Sequence, residues 1–236
     1  LVYNITMSDA VATPTAQRQT VAEGVYQALK RDILTLRHAP GTSLTEQQLC
    51  VAHGASRAPI REACRRLQQE GLLTSIPYKG YFVSRVSIQE IRDCFDLRAL
   101  LESHALALAI KRARPEDLRR LEELAACEYT YHDHASYSDF LDRNLDFHMR
   151  VASLSGNARL VATLRDLLAG MQRYFFLGLD LGDFGGEMRG EHEELVALMK
   201  TGLKEDAVEC LRQQIATSRD RILRALAEQG VGLPME

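Results

Sequence analysis

Residues 45–71 read TEQQLCVAHGASRAPIREACRRLQQEG, and this stretch decides the architecture of the N-terminal part of the chain. Thr45 and Gln48 stand in capping-box register, the hydroxyl serving an orphan backbone donor while the glutamine reaches back. The helix they open runs out near His53-Gly54. A second helix follows after a very short turn, with Ser56 a good N-cap and Pro59 in the first turn, where its missing donor costs little. Ile60, Ala63, Cys64 and Leu67 form its buried stripe up to Gly71. Two helices joined by a tight Gly-containing turn predict a helix-turn-helix. Arg57 and Arg61, four residues apart, share a face of the second helix opposite that stripe.

Working outward, Val21, Val25, Leu29, Ile33 and Leu36 mark one face of a preceding amphipathic helix ended by Ala39-Pro40-Gly41. Downstream, Leu72–Ile76 and Tyr81–Ser84 are strand-like runs about a turn, Pro77-Tyr78-Lys79-Gly80, which reads as a wing. Gly80 lets backbone approach a polyanion closely, and Lys79 supplies charge. Residues 20–86 carry nine Lys/Arg against five Asp/Glu, whereas residues 87–236 carry 19 against 26. A basic module on an acidic body is the footprint of a protein that presents one end to a nucleic acid. Arg57 and Arg61 sit where a recognition helix makes its base and phosphate contacts with double-stranded DNA.

The remaining chain is expected to be an all-α bundle of about six helices. Ser87 with Glu90 forms a second capping box, and a helical period runs from Ile88 to about Arg112. Pro115 opens the next helix, and amphipathic segments continue near 138–154, 158–177, 187–201 and 205–228, with a turn signal at Gly178–Gly186. The predicted class is therefore mostly α: residues 1–19 disordered, a winged helix-turn-helix over 20–86, and a helical domain over 87–236. The chain has 236 residues, 46% hydrophobic and 26% charged, which fits one or two ordinary globular domains and excludes disordered and collagen-like classes. The five cysteines are odd in number and far apart, so they read as reduced thiols. No stretch approaches the roughly 18–20 apolar residues of a membrane span, and a cytoplasmic location is expected.

Polar residues on inward helix faces are the informative feature of the body. Asn144 and His148 are four apart, in line with Leu141, Leu145 and Ala152, and His192 shares a stripe with Leu195, Val196 and Met199. Inward histidines are either satisfied core residues or metal ligands. His132-Asp133-His134 and Asp183-Phe184-Gly185 read as a solvated turn and a loop. An alternative function, a metal-dependent hydrolase in a helical bundle, would use Asn144, His148 and His192 with Glu191 or Glu193 as base.

Leu44–Leu49, Gly54–Ala63, Arg66–Leu73 and Lys79–Val83 together resemble the winged-helix domain of GntR-family bacterial transcription regulators over about 65 residues. The body resembles the FCD ligand-binding domain of the FadR subgroup, through Leu97–Glu102, Asn144–His148 with Ser155-Gly156-Asn157, and Glu191–Leu195 with Asp206. The resemblance implies DNA contacts from Ser56, Arg57 and Arg61, a wing tip at Lys79 and Gly80, and no assigned contact for Gln47, which stands where many members carry arginine. It implies a homodimer on a palindromic operator, and a repressor controlled by a small organic acid held by Arg98. Arg98 can instead pair with Glu102, one helical turn on. The resemblance further implies a divalent transition metal, zinc or nickel, at Asn144, His148 and His192. Gln214 stands where the family places a third histidine, and an amide is the poorer ligand.

Overall fold

The computed structural model describes residues 20–228, so the expectation for residues 1–19 lies outside them. The head comprises α1 (Val21–Leu34), β1 (Ser43–Leu44), α2 (Glu46–His53), α3 (Arg57–Gln69), β2 (Leu73–Ile76) and β3 (Gly80–Val83). The three strands form an antiparallel sheet ordered β1-β3-β2, with Thr74 opposite Phe82 and Ile76 opposite Gly80. The Thr45/Gln48 capping box is present on α2, and Gly54 ends that helix in the left-handed region. The apolar faces of all three helices converge: Leu29, Ile60, Ala63, Cys64 and Leu67 have no solvent exposure, and Leu49, Leu73 and Val83 complete the core. Each buried aliphatic side chain contributes roughly 1.5–3 kcal/mol.

The body contains α4 (Ile88–Ala109), α5 (Pro115–Ala125), α6 (His134–Leu154), α7 (Ala158–Leu181), α8 (Gly185–Thr201) and α9 (Lys204–Glu228). The long α4 runs through the bundle and packs on α6, α7 and α9. A second core, separate from that of the head, includes Phe95, Leu106, Phe147, Leu164, Met171 and Leu211.

Four local expectations are corrected. The first helix stops at Leu34 rather than running on to Leu36, which takes a positive φ and packs on the body core. Val86, counted with the head, is likewise buried in the body core. The turn read over Gly178–Gly186 starts later than expected: α7 continues through Gly178, which packs closely on Ile222, to Leu181, and the break falls at residues 182–184. Ser87 caps α4, but the Glu90 side chain bonds Arg173 instead of closing a box. β1 was unforeseen, since two residues carry no alternation to detect.

Candidate functional site

On the head, Ser56, Arg57 and Arg61 are all exposed along the first turns of α3, opposite its buried stripe. Ser56 occupies the N-cap position without making a side-chain cap bond, which leaves its hydroxyl free for an external acceptor. Arg57 makes no ion pair among the described residues. Arg61 is held bidentately by Glu46 of α2, Nε to Oε1 at 2.7 Å and Nη2 to Oε2 at 3.0 Å. This planar fork-to-fork contact keeps the Glu46 carboxyl below its usual range. Sequence reading missed Glu46 because it lies 15 residues away, on another helix.

At the wing, Lys79 is exposed and its backbone closes the turn onto Ile76. Tyr78, overlooked in the sequence, is fully exposed beside it with φ at 64°. Gly80 has a structural reason to be glycine: φ is 96°, and a Cβ would sit 3.1 Å from the Leu44 carbonyl oxygen of β1. Close packing of the wing on β1, rather than approach to a ligand, is what the geometry requires there.

In the body, the inward histidines do come together. Arg98, Glu102, Asn144, His148 and His192 are each at most 6% exposed. Arg98 donates Nε–H to Glu102 Oε1 at 2.6 Å, and its Nη2 lies 3.0 Å from His148 Nε2. The other carboxylate oxygen, Oε2, lies 2.8 Å from His148 Nδ1. Because a guanidinium can only donate, His148 carries its proton on Nδ1, donates that N–H in a hydrogen bond to Glu102 and accepts from Arg98 through Nε2. Burial alone raises the Glu102 carboxyl, but the Arg98 guanidinium and the hydrogen bonds from Arg98 and His148 outweigh it and lower the group to about 2. His192 stacks on Phe147 with centroids 4.2 Å apart, and burial followed by the neighbouring His148 and Arg98 pushes its pKa well below 6.5. Arg98 is paired with Glu102, and it also lines a cavity with Asn144, His148, His192 and Gln214. That cavity holds only about 20 Å³, room for a single water.

The donor set does not fit the implied metal. Asn144 Oδ1 and His192 Nδ1 are buried without partners, but the Nε2 lone pair of His148 already receives a guanidinium, whose positive charge opposes a dication. Gln214 turns its amide nitrogen to the Glu191 carbonyl at 2.6 Å and to Cys210 Sγ. Glu102, the nearby anion, is neutralised by Arg98 and hydrogen-bonded by His148, and no group of three or more acidic, His or Cys side chains among the described residues forms a metal cage. The hydrolase reading loses its base as well: the Glu191 carboxylate is bound by Arg221 at 2.6 Å and Glu193 by Arg189 at 2.8 Å. His134, from the turn read as solvated, opens α6 and lies 2.6 Å from Asp180.

A winged helix with an exposed basic recognition face, joined to a helical bundle built around a charged core, defines a protein of the transcription-regulator class. The model of bacterial regulatory proteins of the gntR family matches residues 21–83, and that of the FCD domain matches residues 93–217. The chain belongs to the GntR family of regulators and carries an FCD domain. It is 34% identical over 128 residues to the Nta operon transcriptional regulator of Aminobacter aminovorans, a match spanning 54% of this chain and 60% of that protein. It is 29% identical over 213 residues to the transcriptional repressor GlaR of Escherichia coli, covering 86% and 96% of the two chains. The same fold is seen in a putative GntR regulator from Rhodococcus sp. RHA1, with a TM-score of 0.70, 21% identity, and 86% and 98% of the chains covered. No described helix is long and apolar enough to cross a membrane.

Proposed function

We propose that the protein is a transcription repressor that binds a palindromic operator as a homodimer and is controlled by a small carboxylate taken up in the body without a metal. Ser56, Arg57, Arg61 and Lys79 contact DNA, and two symmetric recognition helices read half-sites about 34 Å apart. Leu97 and Leu100 stand exposed on α4 and offer apolar surface to a second copy.

The observation that carries the effector reading is the Arg98 contact with a neutral imidazole. Its bond to Glu102 joins two opposite charges, whereas the Nη2 contact to His148 ends on a neutral ring and is the weaker one. An incoming carboxylate that displaces His148 gains an ionic hydrogen bond while the Glu102 pair stays intact. The inner cavity must widen to admit it, so uptake is coupled to movement of α4, α6 or α8, and a ligand favouring one arrangement shifts the placement of the heads.

A thermal-shift screen of small organic acids, run with chelator and again with zinc or nickel, tests this. A ligand at a hundredfold excess over its Kd stabilises the protein by about 2.7 kcal/mol. The expected result is a shift that persists in chelator and disappears in Arg98→Lys with the helical circular dichroism retained. A shift that requires metal restores the implied metal centre, and no shift with any acid removes the carboxylate assignment while leaving the DNA-binding face untouched.

A further inference from the structure

A cavity lies between head and body, outside the inner pocket. It measures about 300 Å³, against about 20 Å³ for the pocket beside Arg98. That is the lower end of the range of small-molecule sites. One wall is α1, with Lys30, Arg31 and Leu34; the other comprises α6 and α7, with Leu141, Asp142 and Phe176. We propose that this cleft binds a small zwitterion with an apolar side chain, the chemistry of an apolar α-amino acid, and that its occupancy reaches the recognition helix through Lys30.

The charges of the two walls are opposite, and no ion pair joins them among the described residues. Arg31 makes no ion pair there, and Lys30 is turned to Glu70 at 2.7 Å and to the Tyr26 hydroxyl at 3.0 Å. Asp142 makes no ion pair among the described residues, and its carboxyl is raised by partial burial and by Asp139 and Asp146, so a cation would be welcome beside it. Leu34, Leu141 and Phe176 supply apolar surface between the charged groups. A plain carboxylate satisfies Arg31 but faces Asp142, and a plain amine does the reverse. A molecule carrying both groups and an apolar side chain answers all three features.

Lys30 connects the cleft to the DNA-reading helix. Glu70, its partner, is the residue that caps the C-terminus of α3, and Tyr26 donates to that same carboxylate. A ligand carboxylate competing for the Lys30 ammonium loosens the tie between α1 and the end of α3. By linkage, a ligand that changes DNA affinity has its own affinity changed by the same factor when DNA is bound.

Isothermal titration of the full chain with leucine, methionine and phenylalanine tests the site, with 4-methylpentanoate and isopentylamine as the acid-only and amine-only counterparts of leucine. The expected result is binding of at least one amino acid, weaker by about tenfold or more in Arg31→Ala and in Asp142→Asn. Arg98→Lys leaves it unchanged, which separates the cleft from the inner pocket. A second expected result is an affinity altered by the presence of DNA in the wild type and insensitive to DNA in Lys30→Met. No binding of any of the three amino acids at millimolar concentration overturns the proposal, as does binding that survives both cleft variants. Equal binding of 4-methylpentanoate overturns the zwitterion assignment, and loss in Arg98→Lys relocates the ligand to the inner pocket.

Discussion

The protein contains two arginine–glutamate pairs at its two candidate sites, and they differ in one respect. Arg61 and Glu46 meet in bidentate geometry on the surface of the head, with side chains 61% and 28% exposed. Arg98 and Glu102 meet at a similar distance inside the body, with side chains 5% exposed. On the surface, water and salt compensate either partner when it leaves, so Arg61 is free to exchange Glu46 for a DNA phosphate or base. In the interior no water replaces a lost counter-charge, so Arg98 and Glu102 stay paired and only the weaker Arg98 contact to His148 is open to exchange. Burial, not the pairing itself, decides which arginine can give up its glutamate and which must keep it.

The largest expected effect follows from that contrast. Glu102→Ala leaves Arg98 buried without a counter-charge and should destabilise the protein by about 3–5 kcal/mol, read from urea denaturation. Glu46→Ala should leave the denaturation midpoint essentially where it is. Equal losses from the two substitutions would break the comparison. In DNA binding the order inverts. Arg57→Ala and Arg61→Ala should each weaken binding to a duplex selected from random sequence by about ten- to a hundredfold, with the fold intact. An arginine that contacts phosphate also lowers the salt slope by about 1 when removed, whereas one that reads a base relaxes sequence preference at one position. Retained affinity in both variants would remove the recognition face.

Acid titration sharpens the same contrast within the body. His192 stays neutral in the folded protein, while the unfolded chain takes up a proton near 6.5, so stability falls as pH drops below that value. The Glu102 contribution is present above its ordinary value of 4.5 and is lost as pH falls toward about 2. Denaturation midpoints measured stepwise from neutral to acid pH should therefore decline in two stages. His192→Leu should remove the first stage and leave the second; an unchanged first stage in that variant would assign it to another group.

How much was legible in the sequence also divides between the two regions. The head was readable because its determinants are local: Thr45 caps through Gln48 three residues on, Gly54 stops the helix, and the Ile60-to-Leu67 stripe needs only helical period. Inward placement of Asn144, His148 and His192 was readable for the same reason. What they bond to was not, because His148 meets Glu102 across 46 positions and Gln214 meets the Glu191 carbonyl across 23. Glu90 shows the limit of a local rule: it stands in capping register with Ser87, yet a buried Arg173, 83 positions away, takes its carboxylate. A solvent-exposed cap bond competes poorly with an arginine held at 6% exposure.

The smallest expected effect separates two hydroxyls of the head that look alike in sequence. Thr45 and Ser56 both stand at helix N-caps, but only the Thr45 hydroxyl accepts from a backbone amide, that of Gln48 at 3.2 Å, while the Thr45 backbone N–H donates to Gln48 Oε1. Thr45→Ala leaves one helix-end donor, the Gln48 amide, without its partner and should cost about 1 kcal/mol of stability, with DNA affinity changed only through folding. Ser56→Ala removes no cap bond, so its denaturation midpoint should stay near wild type while affinity for the selected duplex falls. Circular dichroism melts and fluorescence anisotropy on the same two variants decide the matter. If Ser56→Ala were the destabilising change and Thr45→Ala the one that weakened DNA binding, the hydroxyls would have exchanged roles, and the recognition face would begin on α2 rather than at the start of α3.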